Sequence, residues 1–192
     1  MAYLNEVDAA TLASWLSNFD NCPNNIYKPY QDNPINFSRY AYDLLCQNNS
    51  NHVNIYFGID DSNYLVLIAV GSYLLDNFDG EETSGYADIL EPGKIIELYS
   101  NAPITKSQAI KYIDKWATQN SQSRLFKKSY LLPRPNFIKL FLEDQASIVR
   151  IFFGMEADEL KVMQKNPGAG SGAIIFNSGS PCPSLCAKQG LV

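Results

Sequence analysis

The sequence predicts an α+β fold in which a helix–helix–strand–strand–strand unit occurs twice, its antiparallel strands packed against helices. Three observations carry this expectation. The stretch VNIYFGIDDSNYLV at 53–66 is matched by VRIFFGMEADELKV at 149–162. Each stretch follows an amphipathic segment that holds one of the chain's two tryptophans. Helical patterns are followed by runs of strands instead of alternating with them, which favours α+β over a parallel α/β design.

Taken in order, Leu12, Trp15, Leu16 and Phe19 fall at helical spacing. The Asn- and Pro-rich stretch 18–33 reads as an irregular connection. Asn33 followed by Pro34 suits a helix start, with Phe37, Tyr40, Ala41 and Leu44 as its apolar stripe. Val53, Ile55 and Phe57 then alternate as in a strand with one buried face. Gly58 and an acidic turn lead into a second strand at Leu65, and Lys94–Tyr99 offers a third. The long acidic stretch 75–93 between them reads as a loop. In the second half Thr105 and Gln108 fit a capping box that opens a helix through Ile110, Ile113 and Trp116. Phe137, Leu140 and Phe141 form a shorter helix whose Asn-Phe start matches Asn36-Phe37. Val149, Ile151 and Phe153 repeat the alternation, and Ile174–Phe176 is the third strand. The halves divide at about 101/102 and are expected to form a single domain over 1–192, sharing a core that neither covers alone.

Composition narrows the function. With 46% hydrophobic and 18% charged residues, the chain can bury a sizeable core. Its net charge of −5 argues against nucleic acid and against docking on an anionic membrane. No apolar run approaches the roughly 20 residues that cross a bilayer, and no basic start followed by an apolar run marks a secretory signal. A cytoplasmic protein is expected.

No motif assigns a reaction. There is no phosphate-binding loop, dinucleotide fingerprint, nucleophile elbow or zinc-protease helix. Neither a cofactor nor a metal site is expected, because Cys22, Cys46 and His52 lack metal-ligand spacing. His52, the only histidine, reads as a polar loop residue. The segment from Asp76 to Glu82 fails the calcium-loop pattern at Phe78 and Gly80. Tyr27, Tyr30, Tyr40 and Tyr42 lie close together and are candidate partner-binding residues, although tyrosines that rim a core are the commoner case. Cys182 and Cys186 are the candidate redox pair, with packed, inert thiols as the plainer reading.

One stretch resembles something known. Ile174-Ile175-Phe176, followed by Ser180-Pro181-Cys182-Pro183-Ser184-Leu185-Cys186, is similar to the C-terminal end of a group of uncharacterised bacterial proteins. These finish in a Pro-Cys-Pro-x-x-Cys tail after a hairpin like that at 149–162. The resemblance covers about the last 45 residues and carries over no functional residue. The reading that remains is a non-enzymatic protein-binding module. The alternatives are a small-molecule binder or enzyme with a cleft between the halves, and a thiol switch at Cys182 and Cys186.

Overall fold

Apolar alternation decides the two central hairpins, and the computed structural model places them in different sheets. It describes residues 6–32, 35–46, 50–74, 86–177, 180–181, 187–189 and 191. The chain runs α1 (Ala9–Asn21), α2 (Pro29–Asp32), β1 (Ile35–Ser38), α3 (Arg39–Leu45), β2 (His52–Ile59), β3 (Leu65–Leu74), β4 (Tyr86–Asp88), β5 (Ile95–Glu97) and β6 (Ala102–Pro103). It continues through α4 (Lys106–Asn120), β7 (Ser129–Pro133), α5 (Arg134–Ile138), β8 (Ile148–Glu156), β9 (Glu159–Lys165), β10 (Ile175–Asn177), β11 (Ser180–Pro181) and β12 (Ala187–Gln189). One sheet has the order β1-β8-β9-β10; the other is β11-β7-β2-β3-β4-β12, with β5 also on β3 and β6 on β5. All pairs are antiparallel except β4–β12. This is the expected α+β class.

Local chemistry sets the helix starts. Asp8 accepts from the backbone N–H groups of Ala10 and Thr11 and begins α1. Thr105 and Gln108 close the expected capping box on α4. The second helix differs from expectation. Residues 35–38 form a strand, and α3 begins at Arg39, capped by the Ser38 hydroxyl. Ile35 and Phe37 are two apart and lie opposite Ile151 and Val149. Alternation toward a sheet outweighs the helical spacing that Phe37 shares with Tyr40 and Leu44. The match of Asn36-Phe37 to Asn136-Phe137 therefore joins a strand to a helix. Strand β7, through Tyr130-Leu131-Leu132, was not anticipated.

The elements cross between the halves. Strand β1, from the first half, pairs with β8; β7, from the second, pairs with β2. Helix α1 packs on β8, and α4 packs on β2. The contacts repeat residue by residue. A Cβ on Gly154 would stand 2.9 Å from that of Trp15, and one on Gly58 would stand 3.1 Å from that of Tyr112. Phe19 packs on Phe153 at 6.4 Å between ring centroids, and Trp116 packs on Phe57 at 5.6 Å. The third strands share a register: Ile95 and Ile96 lie opposite Val70 and Ala69, Ile175 and Phe176 opposite Lys165 and Gln164. By these contacts Trp15 corresponds to Tyr112, one helical turn from the expected match with Trp116.

The core lies between the two sheets. Phe57 and Phe153, at the same place in their hairpins, face each other at 6.0 Å. Tyr30 lies 5.8 and 5.5 Å from these two rings, and Tyr27 lies 4.9 and 6.3 Å from them. Rings fill the centre of the contact between the halves; a depression of about 530 Å³ lies at its edge, between Pro23, Asn24 and Ile26 of the first half and Gln119, Asn120 and Ser123–Leu125 of the second. Phe57→Ala and Phe153→Ala should each cost about 3–5 kcal/mol. The double variant should depart from additivity by about 0.5–3 kcal/mol in urea denaturation, because the rings share one contact.

Candidate functional site

The tyrosines singled out by the sequence do not form a surface. Tyr27, Tyr30 and Tyr42 are buried; only Tyr40, 61% exposed, faces outward. The reason is local. The Tyr27 hydroxyl donates to the Leu125 carbonyl at 2.8 Å and accepts from the Lys127 N–H at 2.7 Å. Tyr30 donates to the Val66 carbonyl at 3.1 Å. Tyr42 packs against Phe137 and Phe141, with the Arg39 guanidinium 5.9 Å above its ring. Burial raises the pKa of all three phenols. The expected partner surface is thus largely a wedge inside the protein. Cys182 and Cys186 lie outside the described residues, as does 75–85 of the acidic stretch 75–93; the rest of that stretch is not all loop, since Tyr86–Asp88 is strand β4, paired with β3 and β12.

A different set of side chains converges. Strands β2, β3 and β4 bring Asn54, Tyr56, Ser72 and Asp88 together on the face of the larger sheet opposite Phe57. Asp88 is 8% exposed. It accepts from Ser72 Oγ at 2.6 Å, Tyr56 Oη at 2.5 Å and Asn54 Nδ2 at 3.2 Å. The backbone N–H of Leu191 also donates to it. Four donors match the acceptor capacity of one carboxylate. Among the described residues, no Lys, Arg or His forms an ion pair with Asp88. Burial raises the carboxyl above its ordinary value, opposed by these hydrogen bonds, Ser72 foremost. The Asn54 Oδ1 atom is buried with no partner.

His52 borders this cluster. It lies opposite Ser72 in the ladder and packs edge-on to Tyr86 at 4.9 Å. Its Nδ1 lies 2.7 Å from Asn51 Oδ1, and burial lowers its pKa. The serine hydroxyl is committed to Asp88 and the imidazole to Asn51, so serine, histidine and aspartate do not form a relay. Cys46 is buried, and desolvation pushes its thiol up to about 12, away from thiolate chemistry. Cys22 is half-buried at the end of α1. No three His, Cys, Asp or Glu side chains converge among the described residues. Among the described residues, no helix is long and apolar enough to cross a membrane.

Asp88 also borders a depression. About 370 Å³ in volume, it is lined by Tyr73, Asp88, Ile89, Leu90 and Glu91. Leu90 and Glu91 are shared with a neighbouring depression of about 400 Å³, whose wall includes Pro92, Ile95, Pro103, Ile104 and Lys106. The two depressions meet at Leu90-Glu91, between β4 and the start of α4. Sequence reading missed this site because its residues come from three separated segments, at 73, 88–95 and 103–108; the only local signal was Asp88 and Glu91 flanking Ile89-Leu90. No family model, curated protein or solved structure matches the chain.

The Asp88 network sets a pH dependence. The folded carboxyl holds its proton more tightly than the unfolded one. Its contribution to stability is therefore greatest at low pH and declines as pH rises through the ordinary carboxyl range toward the folded pKa. Asp88→Asn removes that decline. In urea denaturation from about pH 4 to pH 8, the stability difference should shift in favour of the variant as pH rises. A shift toward wild type would contradict the assignment.

Proposed function

We propose that the chain is a non-enzymatic, cytoplasmic protein-binding module, and that its halves descend from one duplicated helix-and-hairpin unit. The repeated contacts around Gly58 and Gly154, and the shared third-strand register, support the duplication. The observation that carries the binding reading is the pair of adjoining depressions from Tyr73 to Gln108. Leu90, Ile95 and Ile104 give it an apolar wall, and its polar rim carries Lys106 and Glu91, the latter paired with Lys94 at 2.6 Å. That wall fits an extended segment of a partner protein bearing apolar side chains. Tyr73, 39% exposed at one end, provides an aromatic contact of the kind enriched at interfaces. The net charge of −5 favours a basic segment over a nucleic acid.

The small-molecule alternative finds no opening at the Phe57–Phe153 contact, but a depression of about 530 Å³ between Pro23, Asn24 and Ile26 of one half and Gln119, Asn120 and Ser123–Leu125 of the other keeps it as the second reading. Selection of displayed random peptides against the wild type should enrich sequences with apolar residues and a net positive charge. Ile104→Glu should weaken their binding at least tenfold, about 1.4 kcal/mol, while moving the Tm only slightly, because Ile104 is half-buried. Peptides that bind the variant equally well would overturn the reading. So would a metabolite screen that raises the Tm while no peptide is enriched.

A further inference from the structure

The crossing of elements has a consequence that is independent of these depressions. Each sheet is completed by a strand and a helix from the other half of the chain. Nothing in those contacts requires the two halves to belong to one molecule. Covalent continuity between them runs through a single connector, Leu98–Thr105. Within it, Tyr99, Ser100 and Asn101 make a tight turn. The Glu97 carboxylate holds this turn by accepting from the N–H groups of Tyr99 and Ser100 at 2.7 and 3.0 Å. Asn101 has a φ of +52°, in the left-handed region that side chains other than glycine occupy at a cost. Its amide also covers the free edge of β1, donating to the Asn36 carbonyl at 3.1 Å and accepting from the Ser38 N–H at 3.2 Å.

We propose that the surface between the halves is an exchangeable interface whose partner is a second copy of this chain. Opening the turn at 99–101 lets the first half of one copy receive β7 and α4 from the other. Each intermolecular unit then regains the β1–β8 and β2–β7 ladders and the Phe57–Phe153 contact. Only Leu98–Asn101 changes conformation, with the β5–β6 ladder and the Ile104 N–H bond to the Ile95 carbonyl reformed between copies, so the exchanged dimer and the monomer differ mainly by the turn and by concentration. Short hinge loops under strain promote such exchange.

The test deletes Tyr99–Asn101, leaving a connector too short to turn back. The variant should elute as a dimer with the wild-type circular dichroism spectrum. Asn36 and Arg150 are directly paired between β1 and β8. Asn36→Cys on one copy of the deletion variant and Arg150→Cys on another should therefore form a disulfide between chains at positions 36 and 150, identified by mass spectrometry. The wild-type connector gives a second arm. The same cysteine pair, refolded together from denaturant at high protein concentration, should give this link in a dimer fraction that grows with concentration. A natively folded monomeric deletion variant, or a dimer without the 36–150 link between chains, overturns the proposal. If the deletion variant does not fold, absence of the link in the concentrated wild-type arm overturns it equally.

Discussion

Neither hairpin can close its own sheet, and most of the structure follows from that constraint. The β2–β3 hairpin is completed by β7 and covered by α4; the β8–β9 hairpin is completed by β1 and covered by α1. The inner faces then meet through Phe57 and Phe153. A sheet face left open would expose a row of aliphatic and aromatic side chains, at about 25 cal/mol per Å² of apolar surface. The arrangement is dominated by pairings distant in sequence, which implies slow folding in which both halves must be present before either sheet is complete.

Tyrosine is used here as a core residue with a polar end. The loop after α1 drives Tyr27 and Tyr30 between the hairpins, and each hydroxyl reaches a backbone carbonyl there. A phenylalanine at either place would leave a buried carbonyl without its donor, a loss of about 1–3 kcal/mol. Asp88 follows the same logic with opposite polarity. Neutral donors from β2 and β3 and one backbone N–H solvate a buried carboxylate that forms no ion pair among the described residues. Such a network specifies one arrangement of strands, because a register slip would leave the carboxylate unpaired.

Much of the fold was legible where the signal was local. The two hairpins followed from alternation at Val53–Phe57 and Val149–Phe153, and α4 from its capping box. What failed did so for stated physical reasons. Ile35-Asn36-Phe37 carries both a strand and a helix period, and the partner strand that decides between them lies more than 100 residues away. Strand β7 is five residues long and lies beside a basic stretch. Trp15 and Trp116 look equivalent by residue type, yet Trp15 approaches Gly154 while Tyr112, one turn before Trp116, approaches Gly58. The buried tyrosines and the Asp88 cluster depend on tertiary convergence, which composition cannot display. The α+β class was therefore readable, whereas the crossing of elements and the Asp88 cluster were not.

Separate production of fragments 1–101 and 102–192 tests the exchange of elements most directly. Each fragment alone should lack a cooperative unfolding transition and near-ultraviolet dichroism. Mixing them should restore both in a one-to-one complex with the spectrum of the intact chain. A fragment that folds alone as a stable monomer with its own cooperative transition would contradict the account, since its hairpin would then have closed without the other half.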